Sequence, residues 1–573
     1  MTVSTTLVAD ALAGLGRLYP WPVEPSDDLD RALDAVAADV APAAVVRGGW
    51  GVAVVVSLIG LPALAFAVGP VVAVPLAAAL GLAAAHAVHA APLALAALSR
   101  TRALGDAPAL VGRAVLRMRV EPTAERAAAF AARTGRGPLA ERLAEHVRRA
   151  RGTSRTGLDS FATEWAGEFP ALERAAGLVE AAAAAPPDER ERTLDRALAA
   201  VLDGTRERVA SFSAAVRGPA TAVYAFGVLL PVALVGLLPA ARVSGIRVGV
   251  GAFVAVYDVL LPLALLGACA WLLVRRPVAF PPPSVDRSHP DVPDRRLVAV
   301  AGGTLAALLA SLLAGRAVAP WAGAVAAAGV GPGVALLVRH RPVETVRSRV
   351  EAVEADLDDA LYLVGRRVAE GRAVEAALAA AAAEVSGETG DLLADAVEGT
   401  RRTRAGLDEA FLGEHGALAD LPSPRARGAA ALLALAAREG WPAGDALVAL
   451  ADHLGELREL EREARRELAA LTGTLRNTGT VFAPVVAGAT VALADGIRET
   501  GASGLEAAPP LPTAALGPAV GAYVLLLSVA LTALATGLER GLDRSLLAYR
   551  VGVVLPTAAL SYLAAFVASG LLL

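Results

Sequence analysis

Nine stretches of this chain approach the roughly 20 apolar residues that a helix needs to cross about 30 Å of hydrocarbon. They lie near 50–70, 73–97, 220–239, 248–274, 297–315, 318–338, 479–497, 514–536 and 551–571. A backbone surrounded by lipid must satisfy its amides within its own segment, so stretches of this length imply helices. The composition points the same way: 55% of the 573 residues are hydrophobic and mean hydropathy is +0.53, above the roughly 45–50% apolar share of soluble domains. Charged residues still make up 19% of the chain, and they gather in two blocks, roughly 99–218 and 341–476.

The expected fold is all-α: a polytopic membrane protein with two tandem cytoplasmic helical-bundle modules, each followed by transmembrane helices. Its expected divisions are a cytoplasmic N-terminal tail at 1–49, a transmembrane hairpin at 50–98, module one at 99–218 and transmembrane helices at 219–274. A Pro-rich cytoplasmic linker at 275–296, a second hairpin at 297–338, module two at 339–477 and transmembrane helices at 478–573 complete the chain. The tail sequence "LYPWPVEPSDDLDRALDAVAADV" is polar and broken by proline, unlike a signal peptide, and reads as soluble with a short helix capped at Ser26. The breaks around Pro70 and Pro320 leave open whether each neighbouring pair is two spans or one long interrupted one.

Arginine near span ends favours the cytoplasmic side. With the N-terminus inside, the inner flanks hold Arg47, Arg100, Arg102, Arg275, Arg276, Arg295, Arg296, Arg339, Arg341, Arg540, Arg544 and Arg550, against Arg242, Arg247, Arg316 and Arg498 outside. This bias places both modules in the cytoplasm of a cell-membrane protein and the C-terminus outside.

Every lysine position is empty, so all 53 basic side chains are Arg. A phosphate-binding GxxxxGK[ST] loop is therefore excluded. The single cysteine, Cys269, permits no internal disulfide and no multi-Cys zinc site, and reads as a small buried hydrophobe. His86 and His89, spaced i, i+3, offer two metal ligands without a third. No catalytic, cofactor-binding or metal residue is assigned. Trp50 and Tyr549 fit aromatic anchors at the membrane interface. Asp258, in "FVAVYDVLLPLAL", falls near the middle of the fourth span, where a carboxylate is costly and faces protein or water; it is the candidate intramembrane polar site. Asp495 lies near the outer end of its span, where solvation at the interface is expected.

The four residues LVGR occur at 110–113 and again at 363–366. An Ala-rich helix follows each (124–132 and 373–383), then an Arg cluster, "RRARGTSRTGLDSF" or "RRTRAGLDEAF", then a terminal amphipathic helix (191–216 and 445–472) and a span. The order is kept and the spacing stays near 250, as expected of a duplicated unit. In the second terminal helix Leu450, Leu454, Leu457, Ala464, Leu468 and Leu471 form one face, with Glu456, Glu459, Arg462, Glu463 and Arg466 elsewhere. Leu194, Leu198, Val201, Val209, Phe212 and Val216 do the same in the first. Module one carries 20 Arg against 16 acids, about +4, and module two 17 against 25, about −8. The matched Arg148, Arg149 and Arg151 (with Arg155), and Arg401, Arg402 and Arg404, are the candidate partner contacts. No aromatic residues interleave with them and the net charge is −4, so nucleic acid is not an expected partner. Acidic lipid headgroups suit the clusters only if they lie near the bilayer.

The helices "EGRAVEAALAAAA" at 370–382 and "EGWPAGDALVALADHL" at 439–454, within the tandem order module, spans, module, spans, resemble the type II secretion system F-domain family. The likeness is to the archaeal form serving type IV pili, archaella and tight-adherence systems, and covers about 99–540. Module one departs from the pattern, having no glycine in "RMRVEPTAERAAAFAA" where Gly371 stands. The resemblance implies a non-catalytic platform that couples a separate hexameric secretion ATPase to insertion or extraction of pilin-like subunits, with a homodimer among membrane lipids as the expected assembly. The competing expectation is a proton-coupled secondary transporter using Asp258, since internal repetition also suits transporters.

Overall fold

The computed structural model describes residues 2–572 except 37, 39, 136, 153–155, 232, 236, 238–248, 277–282, 284, 286–288, 440–442 and 500–511. Every regular element among the described residues is helical. Nine of these helices are long and apolar enough to cross a membrane, and they follow the order of the nine apolar stretches. Both uncertain breaks are turns. Gly69 takes φ +83 between helices Pro42–Val68 and Pro70–Gly105, a conformation glycine adopts without a Cβ penalty. Residues 318–321 separate Arg296–Ala317 from Ala322–Ala355, and each pair packs as a hairpin.

The two charged blocks are matched helix for helix. The first has helices starting at 107, 124, 138, 157, 170 and 187, then a π-turn at 225; the second has starts at 357, 374, 387, 407, 424 and 443, then a π-turn at 478. Subtraction gives 250, 250, 249, 250, 254, 256 and 253. The offset grows after the fourth helix because the connection there runs over 413–423 in the second block and only 166–169 in the first.

The last helix of each block does not stop before its span: Pro187–Tyr224 continues through the π-turn Ala225–Leu229, and Ala443–Asn477 through Thr478–Phe482 into Ala483–Glu499. These are called here the first and second exit helices. With their spans they run as single rods of 49 residues (Pro187–Val235) and 53 residues (Gly444–Gly496), roughly 73 and 80 Å at 1.5 Å per residue. Pro219 removes one backbone bond without stopping the first rod, as a single proline held by packing can.

A π-turn inserts a residue and leaves a carbonyl short of its helical donor, a cost that lipid cannot offset. Neighbouring spans supply the donors. Ser528 Oγ donates to the Gly479 carbonyl at 2.6 Å, and the Tyr523 hydroxyl to that of Gly227; in the third π-turn, Ala255–Leu260, Tyr257 reaches the carbonyl of Pro231. Ser528 and Tyr523 share the helix Thr513–Arg540, whose apolar window is 78% buried within the protein, against 11% for Arg296–Ala317. The former is the central span and the latter peripheral. Cys269 is buried among the apolar residues of this core.

The tail is docked rather than loose. The helix Asp27–Val36 follows Ser26, whose Oγ accepts from the Leu29 amide at 3.3 Å, matching the expected cap. An unexpected helix, Thr2–Gly16, lies along Pro42–Val68, where Gly48 and Gly51 leave room for Leu12 and Leu15. Tyr19 stacks on Trp50 with ring centroids 5.5 Å apart. Residues 277–282, 284 and 286–288 of the Pro-rich linker lie outside the described residues; His289 Nε2 meets the Asp420 carbonyl at 2.8 Å.

Where the spans meet the second block, ion pairs knit helix ends together. Arg347, with 1% of its side chain exposed, bonds Glu344 at 2.7 Å, Asp543 at 2.9 Å and Ser545 Oγ at 2.8 Å. Glu539 holds Arg476 at 2.9 Å and Arg550 at 2.8 Å, and Arg540 pairs with Glu351. Replacing Arg347 with Leu leaves two partly buried carboxylates without a countercharge, and the expected loss is about 2 kcal/mol. A lowered thermal midpoint of the detergent-solubilised protein checks this; an unchanged midpoint contradicts it.

Candidate functional site

The second exit helix carries the joint between the two blocks. Its apolar face is buried as its periodicity requires, with Leu450, Leu454, Leu457, Ala464 and Leu468 inside, Leu471 half-buried and Glu456, Glu459, Arg462, Glu463 and Arg466 outside. Its own block's first helix, Leu357–Ala369, packs along it, and so does the corresponding helix of the first block, Ala107–Val120. Both contacts centre on the repeated motif. A Cβ on Gly365 would sit 2.8 Å from the Val448 backbone nitrogen and 3.0 Å from Leu447 Cβ, while one on Gly112 would overlap the His453 ring. The two LVGR glycines are thus flat points against the same helix.

The motif's arginines diverge. Arg366 stays in solvent, 3.7 Å from Glu370. Arg113 turns into the joint, its guanidinium against Gly428 and close enough to Asp106 and Arg425 to feel both charges. Arg425 pairs with Glu354 at 3.3 Å and with Glu461, and Ser423 Oγ donates to Glu354 at 2.6 Å. Burial pushes the Asp106 carboxyl up to about 6 despite Arg113 and Arg425. The side chains of Leu116, Phe130, Leu202 and Val209 complete the joint by entering the second block's core. The exit helices also touch: Ser213 Oγ donates to Glu467 at 3.3 Å, and Arg206 lies 3.6 Å from Glu463.

His453 sits at the centre, 3% exposed, with neither ring nitrogen hydrogen-bonded among the described residues. Burial, then the charges of Arg113, Arg425 and Arg119, hold its pKa down to about 3. A histidine locked neutral against three arginines packs as a flat, polar-edged ring that tolerates no protonation. Periodicity places it on the Leu450–Leu454–Leu457 face, which was the available signal for it.

The sequence-assigned residues lie elsewhere. Arg148, Arg149 and Arg151 end the helix Pro138–Ala150, and Arg401, Arg402 and Arg404 end its counterpart Gly387–Thr403; all six are exposed. Arg155 lies outside the described residues. Arg149 has Glu145 at 3.4 Å, and Arg404 holds a left-handed φ of 53. Each cluster belongs to its own block and neither takes part in the joint. Asp258 lies half-buried in the π-turn Ala255–Leu260, its Oδ1 without a hydrogen-bond partner. Asp495 is half-buried near the end of its helix and accepts from Thr513 Oγ1, where two helix ends meet. In the first block His146 bridges Ser160 (2.9 Å) and Glu164 (2.7 Å). That order resembles a nucleophile relay, but Ser160 and Glu164 lie one turn apart on one helix and Ser160 Oγ also meets the Gly157 carbonyl at 3.3 Å, so the contact ties two helices.

The fold defines the class: among the described residues the chain is all-helical, with nine helices of the length and apolarity that a multi-pass membrane protein requires. No family model, curated protein or solved structure matches the chain.

Two outcomes test the joint. Gly112→Ala drives a methyl into His453 and is expected to cost about 1–3 kcal/mol; adding His453→Ala returns part of that loss, read as a coupling in thermal unfolding of the two single variants and the double. His453 also sets a pH dependence. Its folded pKa lies below its unfolded value of 6.5, so its contribution is intact above pH 6.5 and falls as pH drops toward about 3, by up to about 1.4 kcal/mol per pH unit. His453→Leu therefore gains stability relative to the parent between pH 6.5 and 4.5, and parallel pH profiles of the two would refute the assignment.

Proposed function

We propose that the chain is a non-catalytic platform of the cytoplasmic membrane, of the type IV pilus or type II secretion kind. In this reading the two helical blocks are cytoplasmic modules that receive force from a separate hexameric ATPase. Pilin-like subunits are inserted or extracted alongside the spans. The observation that supports it best is the pair of unbroken rods: a helix continuous from block to bilayer transmits a push or a twist without a flexible coupling to absorb it. The shared joint at Gly112 and His453 links the rods, so that a load on either block reaches both. The exposed clusters Arg148, Arg149, Arg151 and Arg401, Arg402, Arg404, repeated at matched helix ends, supply the ATPase contact.

A second reading, a proton-coupled transporter, draws on one observation, the unpartnered Oδ1 of Asp258 within the bilayer. The two separate cleanly. Arg401→Ala, Arg402→Ala and Arg404→Ala together are expected to abolish co-purification of a secretion-type ATPase from gently solubilised native membranes, while Asp258→Asn leaves it intact. Loss of substrate uptake in Asp258→Asn vesicles, with no ATPase recovered in either case, favours the transporter.

A further inference from the structure

We infer that an acidic phospholipid binds in a groove between the third and fourth spans, in the leaflet facing the helical blocks. The groove has a volume of about 470 Å³ and is lined by apolar side chains, among them Val223, Phe226, Leu230, Ala264 and Leu265. Its walls run antiparallel, Pro219 to Leu230 on one helix and Leu261 to Leu272 on the other. Eleven residues of helix rise about 16 Å, close to half of the roughly 30 Å hydrocarbon core. The groove therefore spans one leaflet, the reach of an acyl chain, and is too short for a partner helix that must cross both.

Its open end carries the headgroup chemistry. Trp271 lines the groove at the block-facing edge, and the Arg275 guanidinium lies over its ring, 3.9 Å from the centroid. Arg275 is exposed and no described carboxylate pairs with it, although acids neutralise most arginines at this level of the protein. Arg217, 72% exposed, stands two residues before Pro219, its described acid Glu467 4.0 Å away. Arg275, with no described carboxylate and lying on an indole at the hydrocarbon boundary, suits a phosphodiester whose chain fills the groove below, with the exposed Arg217 near the same end. This assignment is independent of the platform reading.

The test titrates the delipidated full-length protein with dioleoyl phosphatidylglycerol or dioleoyl phosphatidylcholine and counts retained lipid by native mass spectrometry. The parent is expected to prefer the acidic lipid by about fivefold or more, the weight of one arginine near an anionic surface. Arg275→Gln should lose the preference but keep the lipid, and Ala264→Phe, which fills the groove from an exposed position, should lose both lipids. Equal retention of the two lipids by the parent, or undiminished retention by Ala264→Phe, overturns the proposal. So does a photo-crosslinker at position 264 that captures a polypeptide in native membranes.

Discussion

Inside hydrocarbon a peptide group has no water to fall back on, and this architecture follows from where that constraint is met and where it is locally relaxed. The rods extend from bilayer to helical block because an uninterrupted helix satisfies every amide along its length. Where the ladder is relaxed, at the π-turns, hydroxyls of Tyr523 and Ser528 on the central span take up the freed carbonyls of Gly227 and Gly479. The central helix is thereby tied to both rods at their π-turns. Removing those hydroxyls would leave the carbonyls unsatisfied in the most apolar part of the molecule, which makes Tyr523 and Ser528 more demanding positions than their surroundings of Leu and Val suggest.

The chain carries two copies of one motif, and packing makes them unequal. Gly112 and Gly365 serve the same helix from opposite blocks, but only Arg113 is drawn into the buried cluster of Asp106, Glu354, Arg425 and Glu461. The second block supplies the helix, most of the acids and the histidine; the first supplies a flat face and an arginine. A buried ionic cluster of this kind adds little net stability when complete and costs much when one member is removed, so it sets the register of the two blocks more than it holds them together.

Much of this arrangement is legible in the residues themselves. Hydropathy located all nine candidate spans, and the alternation at three and four residues marked the buried face of each exit helix, because both patterns are local and set by burial. The Ser26 cap was readable for the same reason. The continuity of rod and span was not, since helix ends are read from breakers and Pro219 is a breaker that neighbouring helices override. The π-turns each end two residues before a proline, Pro231, Pro262 or Pro484, whose missing N–H frees a carbonyl, but the hydroxyls of Tyr523 and Ser528 that reach them lie about 300 and 50 positions away. The joint was half legible: the LVGR repeat drew attention to Gly112, but its partner His453 belongs to the other block, and long-range pairing is not encoded in any local pattern. The exposed Arg clusters stood out as motifs because charge patterning is conspicuous, whereas a single unpaired Arg275 beside Trp271 is not.

The pairing of Gly112 with His453 also imposes an order in time. The two residues are separated by 453 − 112 = 341 positions, and synthesis at about 5–20 residues per second delivers the second roughly 20–70 s after the first. Throughout that interval the first block exists with its glycine face bare and with Asp106 and Arg113 not yet joined by Glu354, Arg425 and Glu461. The nascent first block must therefore be soluble in a state it never revisits, and its excess of arginine over acid keeps such an unfinished surface well hydrated until the second exit helix emerges to cover it.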